Sequence, residues 1–344
     1  MERRFEGTRG VYELTNAEPV IYGRLSLFFA VRDPRTNEPY LIKSFRQTPD
    51  DEFSLRSFYR EIESIRRLRH PHVLEIVDYS PGAGIESPPF LVLPWCKGGN
   101  LRDLNPSGEF IPVETALPLI KQLASAVDYA HQQGVVHGDI KPENVLLSDD
   151  KHRVFLSDFG MAKYFDVTDR VRNTGEAGGK QSNAGGTSAY LSPEQLDENR
   201  QSPRSDIYSL GLLAYELLTG SLPFLVNAPL YRQLHARVIG DLIDPQRSNP
   251  SLPRAIADAL MVPLATDPLQ RPATALEFCE MLAGTRPSIA ISTTRITGSR
   301  SRLRQTWQDL DATGKAAVTV AAIAALAGIL KGAIEIVPPL LGRK

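Results

Sequence analysis

An acidic residue, a lysine and an asparagine lie close together in the segment His137–Leu147, and a second acidic turn follows at Asp158. Phosphoryl transfer needs a carboxylate that holds the attacking hydroxyl, oxygen ligands for Mg²⁺ and cations on the phosphates. Asp139 has the type and place of that carboxylate, and Lys141 supplies a neutralising charge two residues later. Asn144 and Asp158 offer the hard oxygen donors that Mg²⁺ prefers. The spacing therefore predicts phosphoryl transfer with magnesium.

Short strands dominate the first part of the chain. Apolar and aromatic runs between residues 20 and 45 are separated by Gly23 and by the turn-rich stretch Asp33–Asn37, which predicts a small antiparallel sheet. Phe53–Leu68 carries apolar side chains at spacings of three and four, which predicts one amphipathic helix. The predicted strands are Val20–Ile21, Leu25–Val31, Tyr40–Phe45 and two more near Val73–Tyr79 and Phe90–Leu93.

Helical periodicity dominates the second part. The apolar run Val154–Leu156, directly before Asp158, is expected to be a strand. Apolar residues elsewhere in this part recur with the period of a helix. A strand-rich small lobe followed by a helix-rich large lobe is an α+β fold. The predicted helices are Leu117–His131, Leu210–Leu218 and Ala255–Leu264.

Composition places the chain among globular proteins. Of 344 residues, 42% are hydrophobic and 23% are charged, which excludes a wholly disordered, collagen-like or coiled-coil chain. Cys96 and Cys279 are far apart in sequence, which excludes a disulfide framework and a thiolate zinc site. Residues 1–10 are charged and lack an apolar run, so we expect no secretory signal and a cytoplasmic location.

Charge is distributed unevenly along the chain. From Thr285 to Lys344 there are nine basic and three acidic residues, a net +6, so the remainder carries −7 of the total of −1. An acidic body with a basic tail argues against a nucleic-acid-binding core. The tail is therefore the electrostatic candidate for contact with an anionic surface.

Two segments follow the predicted folded body. Thr285–Thr306 is rich in Ser, Thr and Arg, and its composition is typical of a linker. Residues 307–344 are Ala-rich and contain the uncharged run Ala316–Leu330, whereas a bilayer span needs about twenty residues. Two interpretations remain open: an Ala-rich helix that packs on protein, and membrane association through residues 316–337.

Taken in order, these motifs resemble those of the protein kinase family, and of the eukaryotic-like Ser/Thr kinases of bacteria in particular. The resemblance covers residues 11–284 and implies a two-lobed fold, with a β-rich N-lobe at 11–93 that contains one helix and a larger helical C-lobe at 97–284. It also implies ATP, Mg²⁺ and protein substrates. Lys141 together with Gly186–Thr187 resembles Ser/Thr kinases rather than tyrosine kinases.

The resemblance assigns roles residue by residue. Lys43 matches the lysine that binds phosphates, and Glu61 matches its ion-pair partner on the amphipathic helix. Glu194 closes the activation segment, with Arg271 as its expected buried partner, and His137 is expected to have a structural role. The full set of expected site residues is Asp139, Lys141, Lys43 and Glu61 for catalysis, Gly23, Lys43, Leu93, Pro94, Cys96 and Leu146 for the nucleotide, Asn144 and Asp158 for the metal, and Thr187 and Glu194 in the activation segment.

The sequence departs from the family pattern around the nucleotide. Gly23 is the one glycine left in the Gly-rich loop, and Ser26 restricts the backbone where a glycine is expected, which predicts weaker phosphate contacts. Phe28 and Leu41 stand where the family has smaller residues, and overfilling a packed site costs about 1–3 kcal/mol unless neighbours move. Gly138 replaces an Arg that clamps a phosphorylated activation segment, so activation by that clamp is not expected.

Three hypotheses of function follow. The first is a Ser/Thr protein kinase that transfers the γ-phosphoryl of ATP to protein hydroxyls, including its own. The second is a pseudokinase, an interaction or nucleotide-sensing module with a degenerate Gly-rich loop. The third, a phosphotransferase acting on small molecules, is weaker because Ser192–Glu194 and Thr187 resemble a peptide-binding segment.

Overall fold

The computed structural model of the chain divides into two compact units. The first contains the described residues up to 104 together with 114–159, and the second contains 108–113 and the described residues from 189 onward. Within these parts of the chain, no helix combines the length and apolar character that a bilayer crossing requires. The residues described are 4–16, 18–23, 26–46, 59, 62–82, 88–104, 108–159, 189–197, 201–225, 236–237 and 239–286.

Antiparallel strands build the sheet of the first unit, as the sequence predicts. Six strands follow the order β1-β2-β4-β5-β7-β6, and β3 pairs with β4. The longest pairing joins β4 to β5, with Phe28 opposite Lys43 and Phe29 opposite Ile42. The strands are β1 (Arg4–Glu6), β2 (Val11–Leu14), β3 (Ile21–Tyr22), β4 (Ser26–Arg32), β5 (Pro39–Phe45), β6 (Asp78–Ser80) and β7 (Phe90–Pro94).

Alternation along the strands gives the sheet two different faces. One face, here called the outer face, carries a buried apolar cluster of Tyr12, Phe29, Val31, Ile42, Phe90 and Val92. The opposite, inner face carries Phe28, Leu41 and Lys43, which alternate with members of that cluster along β4 and β5. The apolar face thus holds the strands together and leaves the inner face for polar chemistry.

The helix predicted for Phe53–Leu68 is described in its last part, where residues 62–66 are helical and Ile62, Ile65 and Leu68 are buried. The strand predicted near Val73–Tyr79 is wrong in extent, because the strand here is β6 at Asp78–Ser80. Ahead of β6, the backbone bonds to two different strands: Leu74 N–H donates to Leu156 O, and Val77 N–H donates to Val92 O. A continuous ladder with one neighbour therefore does not form.

Helical and loop elements complete the first unit. The helix predicted at Leu117–His131 is confirmed and is longer, and it ends where Gly134 takes a left-handed φ of 75°. A 3₁₀ turn at Pro142–Asn144 then leads into a two-stranded sheet, which confirms the strand Val154–Leu156. The elements are α1 (Leu101–Leu104), α2 (Val113–Gln132), β8 (Val145–Leu147) and β9 (Val154–Leu156).

Helices build the second unit. Its central helix, α4, is buried along nearly its whole length, begins at a capping box of Ser202 and Ser205, and ends at Gly220 with φ 77°. The helix predicted at Ala255–Leu264 ends earlier, at Met261, because Pro263 has no N–H to continue it. The helices are α3 (Pro193–Asp197), α4 (Pro203–Thr219), α5 (Pro245–Ser248), α6 (Arg254–Met261) and α7 (Ala275–Leu282), with a 3₁₀ turn at Pro268–Gln270.

Several expectations lie outside the described residues. Of the predicted linker, Thr285 and Arg286 are described, and the Ala-rich segment is not. Glu61, Gly186 and Thr187 also lie outside the described residues. Their predicted roles stay predictions.

Candidate active site

The loop between α2 and β8 gathers three of the predicted residues around one carboxylate. Lys141 Nζ lies 2.7 Å from Asp139 Oδ2. The amide nitrogen of Asn144 donates to the same oxygen at 2.9 Å and to the Asp139 carbonyl at 2.7 Å. The other carboxylate oxygen, Asp139 Oδ1, is buried and has no hydrogen-bond partner within the described part of the chain. Asp139 is thus held by one oxygen while the second is presented as an acceptor.

Local backbone geometry explains why the loop folds this way. Pro142 starts the 3₁₀ turn, and Asn144 N–H donates to Lys141 O at 3.0 Å. Ser157, at the end of β9, donates its N–H to Asn144 O at 2.9 Å and its hydroxyl at 3.0 Å. The hydrogen bond from Asn144 to Lys141 and the two from Ser157 to the Asn144 carbonyl therefore fix the asparagine beside Asp139.

His137 is buried in a structural position, in agreement with the expectation from the resemblance. Its side chain is 1% exposed, and its ring lies 4.5 Å from the Phe159 ring, centroid to centroid. Nε2 lies 2.8 Å from the Ser157 carbonyl, and Nδ1 lies 3.2 Å from the Asp139 N–H that donates to it. This pattern fits a neutral imidazole with its proton on Nε2. The ring thus fixes the backbone before Asp139 rather than offering a base.

Lys43 and Asp158 form an ion pair on the inner face of the sheet. Lys43 is buried on β5, and its Nζ lies 2.7 Å from Asp158 Oδ1. Burial alone would raise the pKa of Asp158, but the nearby Lys43 ammonium outweighs it and lowers the pKa below the ordinary value. Asp158 also has a positive φ of 63°, which a non-glycine residue adopts at some energetic expense. The carboxylate is therefore charged and held in an unusual backbone geometry.

The residues present fit a magnesium ion. Asn144 uses its amide nitrogen on Asp139, so the amide oxygen is the atom that can bind a cation. Asp158 is ionised and 30% exposed, so its carboxylate can be reached. One amide and one carboxylate oxygen match the few protein ligands that Mg²⁺ takes beside phosphates and water.

Residues predicted to contact the nucleotide lie on β7 and just after it. Leu93 is opposite Leu41 in the β5–β7 pairing, and Pro94 is the last residue of β7. Burial, and to a smaller extent Asp149, raises the pKa of the Cys96 thiol to about 11. The thiol is therefore protonated near neutral pH, which supports a role for the backbone rather than the sulfur at this position.

Leu146 is placed near the segment that follows Cys96. An isolated bridge joins Leu146 to Asn100, and Leu147 N–H donates to Gly99 O at 2.9 Å. Gly98 has to be a glycine here, because a Cβ would lie 2.1 Å from the Ser148 carbonyl. The close approach of these two backbones places Leu146 beside the chain that leaves β7.

Phe28 and Leu41, the residues predicted to crowd the nucleotide, lie on β4 and β5. Phe28 is opposite Lys43, and Leu41 lies between Ala30 and Leu93 across the sheet. The Lys43 ammonium is 5.7 Å from the Phe28 ring centroid, a cation–π distance. Phe28 therefore packs beside Lys43, the lysine predicted to bind phosphates. Gly23 lies in a turn in which its N–H donates to Ser26 O at 2.9 Å.

The second unit holds the other predicted pair. Arg271 donates two hydrogen bonds to the Glu194 carboxylate, at 2.7 and 2.8 Å. Sequence reasoning missed Ser205, whose hydroxyl donates to Glu194 Oε1 at 3.0 Å. The signal that could have indicated a helix start there is the spacing of Ser202 and Ser205, which form the capping box of α4.

Sequence reasoning also missed the segment before residue 11. Strand β1 pairs with β2 as an edge strand of the sheet, and Asp78 on β6 accepts hydrogen bonds from the turn that follows β1. Gly7 and Gly10, on either side of Thr8 and Arg9, were the turn signal for a hairpin with Phe5 and Tyr12 facing the sheet.

Comparison with known proteins agrees with this geometry. A sequence model described as the protein kinase domain matches residues 19–283. The chain belongs to the protein kinase family. The crystal structure of the PknI kinase domain of Mycobacterium tuberculosis, 24% identical, superposes on 80% of this chain and 96% of that one with a TM-score of 0.59, which shows the kinase fold.

Bacterial kinases are among the relatives of this kinase-family chain. It is 31% identical over 270 residues to the serine/threonine-protein kinase PknB of Mycolicibacterium smegmatis, covering 78% of this chain and 41% of that protein. It is 30% identical over 260 residues to PknB of Mycobacterium leprae, covering 75% and 40%. The chain thus spans about two fifths of the length of these curated relatives.

Proposed function

We propose that this chain is a Ser/Thr protein kinase that transfers the γ-phosphoryl group of ATP to serine and threonine hydroxyls of proteins. The observation that carries the proposal is the Asp139 carboxylate, held through Oδ2 by Lys141 and Asn144 with Oδ1 buried and without a partner within the described residues. A buried acceptor of this kind suits the hydroxyl of a substrate, since leaving such an atom unpaired is energetically costly.

The chain's own residues then divide the work. Asp139 Oδ1 accepts the hydrogen bond of the attacking hydroxyl and orients its oxygen toward the phosphorus. Lys141, 2.7 Å from Asp139, offsets negative charge that develops during transfer. Lys43 supplies the positive charge for the phosphates, and Asn144 and Asp158 hold Mg²⁺. The metal, when bound, neutralises phosphate charge.

A direct assay tests this function. Purified full-length chain with γ-labelled ATP and Mg²⁺ is expected to label itself or a generic protein substrate on serine and threonine. Asp139→Asn is expected to reduce labelling by about 10²–10⁴-fold, the usual contribution of a positioned base. Asp258→Asn, an exposed carboxylate on α6 of the second unit, is the matched control and should retain full activity.

The outcomes separate the hypotheses. Labelling that survives Asp139→Asn would overturn the assignment of Asp139. Tight ATP binding in a thermal-shift titration, without any transfer, would favour the non-catalytic interaction module instead. Weak ATP binding with measurable transfer fits the crowding by Phe28 and Leu41 on the inner face.

We further propose a domain of 11–284 with kinase function, a basic linker at 285–306, and a tail that associates with membranes through residues 316–337. The support is a basic Ser/Thr/Arg-rich stretch ahead of an uncharged apolar one. Fractionation of cells that express the full chain, or a version ending at Thr285, tests the tail. Equal recovery of both in the soluble fraction would remove the membrane proposal, and the kinase domain would remain cytoplasmic in either case.

A further inference from the structure

The turn between β1 and β2 is fastened to the opposite edge of the sheet. Asp78, on β6, is fully buried, and its carboxylate accepts hydrogen bonds from Thr8 Oγ1 at 2.6 Å and from the N–H groups of Arg9 and Gly10 at 2.9 and 3.2 Å. The Tyr12 hydroxyl donates to the same carboxylate at 3.2 Å. Since β1 and β6 are the two edges of the strand order, these bonds tie one edge of the sheet to the other.

The sequence is adapted to this close approach. A Cβ at Gly7 would lie 2.3 Å from Asp78 Oδ2, so a side chain there cannot coexist with the anchor. Thr8 N–H donates to Tyr79 O at 2.9 Å, which adds a backbone bond to β6. Burial and then the Asp78 carboxylate raise the pKa of Tyr12, so its hydroxyl stays protonated and keeps donating. We call residues 4–14 the N-terminal strap.

Phe5 is the apolar contact of the N-terminal strap with the outer face. Its ring centroid lies 5.4 Å from that of Phe29 and 5.2 Å from that of Phe90. Phe29 is opposite Ile42 on β5, and Phe90 is opposite Ser44. Ile42 and Ser44 are the two neighbours of Lys43. The ring of Phe5 therefore contacts the residues paired with both neighbours of the lysine, from the face opposite to its ammonium.

The N-terminal strap also lies outside the part of the chain that the kinase family model matches, which begins at residue 19. It is an addition to the matched domain that covers the strands on which the nucleotide site depends. A packed core transmits strain because it has few voids, so a change on one face of a single sheet reaches the other.

We propose that the N-terminal strap, anchored on Asp78, is a positioning element for Lys43, with Phe5 as its contact residue. Phe5 fixes β4 and β7 against β5, and this sets where the Lys43 ammonium stands relative to Asp158. The proposal rests on the proposed function, because Lys43 is assigned there to the phosphates of ATP. Phe5 acts through the strands and touches no substrate.

The test separates positioning from stability. Phe5→Ala is expected to raise the KM for ATP about 3–10-fold with kcat within about two-fold, because the lysine affects nucleotide binding before transfer. Thr8→Val removes one anchor bond and is the milder variant, with a rise of about two-fold. Glu6→Gln, an exposed position on the same strand, is the matched control and should leave KM unchanged. All assays are run well below the Tm of each variant.

Hydrogen exchange supplies a readout that does not depend on activity. Amides of β5 are expected to exchange faster in Phe5→Ala and Thr8→Val than in the parent chain or in Glu6→Gln. A lowered Tm with unchanged KM and unchanged β5 exchange would overturn the proposal, since the strap would then be structural only. If the parent chain shows no transfer that Asp139→Asn abolishes, the proposed function fails separately. The Mg²⁺–ATP dissociation constant of the same variants then decides, with an unchanged value overturning the positioning role.

Discussion

The Lys43–Asp158 pair of the first unit and the Arg271–Glu194 pair of the second unit are built differently. Lys43 and Asp158 meet through one contact of 2.7 Å, and the aspartate is 30% exposed. Arg271 and Glu194 meet through two contacts, and the arginine side chain is fully buried. The remaining N–H groups of Arg271 donate to three backbone carbonyls, those of Ala265, Arg204 and Thr266.

This difference reflects what each pair is for. A lysine ammonium is a compact charge on a flexible stem, so it can exchange one anionic partner for another, such as a phosphate. A guanidinium is a planar fork whose five N–H groups are all used here, so exchange would break several hydrogen bonds at once. The first pair is thus suited to chemistry, and the second to holding the second unit together.

The largest expected effect comes from the second pair. Arg271→Ala would leave Glu194 partly buried without its counter-charge and would remove one donor from each of three carbonyls, which is expected to destabilise the fold by about 3–5 kcal/mol. Urea denaturation measures this loss. Arg271→Lys should recover part of it, since one ammonium cannot replace a two-point contact. A loss below about 1 kcal/mol for Arg271→Ala would mean that the two pairs are not energetically different.

Loss of the Lys43–Asp158 pair is expected to affect activity strongly and stability little. Lys43→Met should reduce kcat/KM for ATP about 100-fold or more, because it removes the positive charge assigned to the phosphates both in the bound nucleotide and in the transition state. Its Tm should change by only a few degrees, because Asp158 is partly exposed and can be hydrated. Kinase assays and thermal unfolding of the same preparation make the comparison. A Tm loss as large as that of Arg271→Ala would contradict it.

The pH dependence of stability gives a further test of the Arg271–Glu194 pair in the second unit. Burial would raise the pKa of Glu194, but hydrogen bonds and charge from Arg271 outweigh it and lower the pKa below the ordinary value of 4.5. A lowered folded-state pKa contributes stability that is fully present above the unfolded value and is lost as the pH falls through the folded value. Unfolding measured from pH 6 to pH 3 should therefore show a loss of stability at the acid end.

Glu194→Gln is the control for this pH dependence. It should be less stable than the parent chain at pH 6 and should lose less stability on acidification. An identical slope in both proteins would show that other carboxylates dominate acid unfolding.

The smallest expected change in the free energy of unfolding comes from the partly exposed pair Arg102–Glu143. Arg102 and Glu143 meet at 2.9 Å with side chains 30% and 40% exposed. Such pairs contribute about 0.2–1 kcal/mol, so Arg102→Ala should lower the free energy of unfolding by about 0.5 kcal/mol. Urea denaturation of Arg102→Ala and Arg271→Ala under the same conditions tests this order of effects. A loss of unfolding free energy in Arg102→Ala as large as that in Arg271→Ala would contradict it.

The sequence predicted the grouping of Asp139, Lys141 and Asn144 well because the contacts among them are local. Asp139, Lys141 and Asn144 lie within six residues, so a tight turn brings them together whatever surrounds it. The Lys43–Asp158 contact is not local and was not predicted. The resemblance gave Glu61 as the ion-pair partner of Lys43, and Asp158 as a metal ligand. Strand alternation in β4 and β5 was equally predictable, since one apolar face has to be buried.

The N-terminal strap shows where sequence reasoning stopped. Strand β1 has three residues, and Phe5 is its single apolar residue, so periodicity gives no signal. Its anchor, Asp78, is 70 positions from Thr8 in the sequence. The residues next to Asp78 give no sign that its carboxylate accepts several hydrogen bonds. The extent of β6 failed for a related reason, because the residues before it bond to two strands at once.

The close approach of Gly7 to Asp78 affects how this chain should be produced for study. A version trimmed to begin at residue 19, where the family match begins, would lack both strands of the first hairpin. It would retain the Asp78 carboxylate on the edge strand β6 without the hydroxyl and amide donors of the removed turn, and would expose Phe29 and Phe90 to solvent. Poor solubility of such a fragment would then report on its boundary and not on the kinase fold.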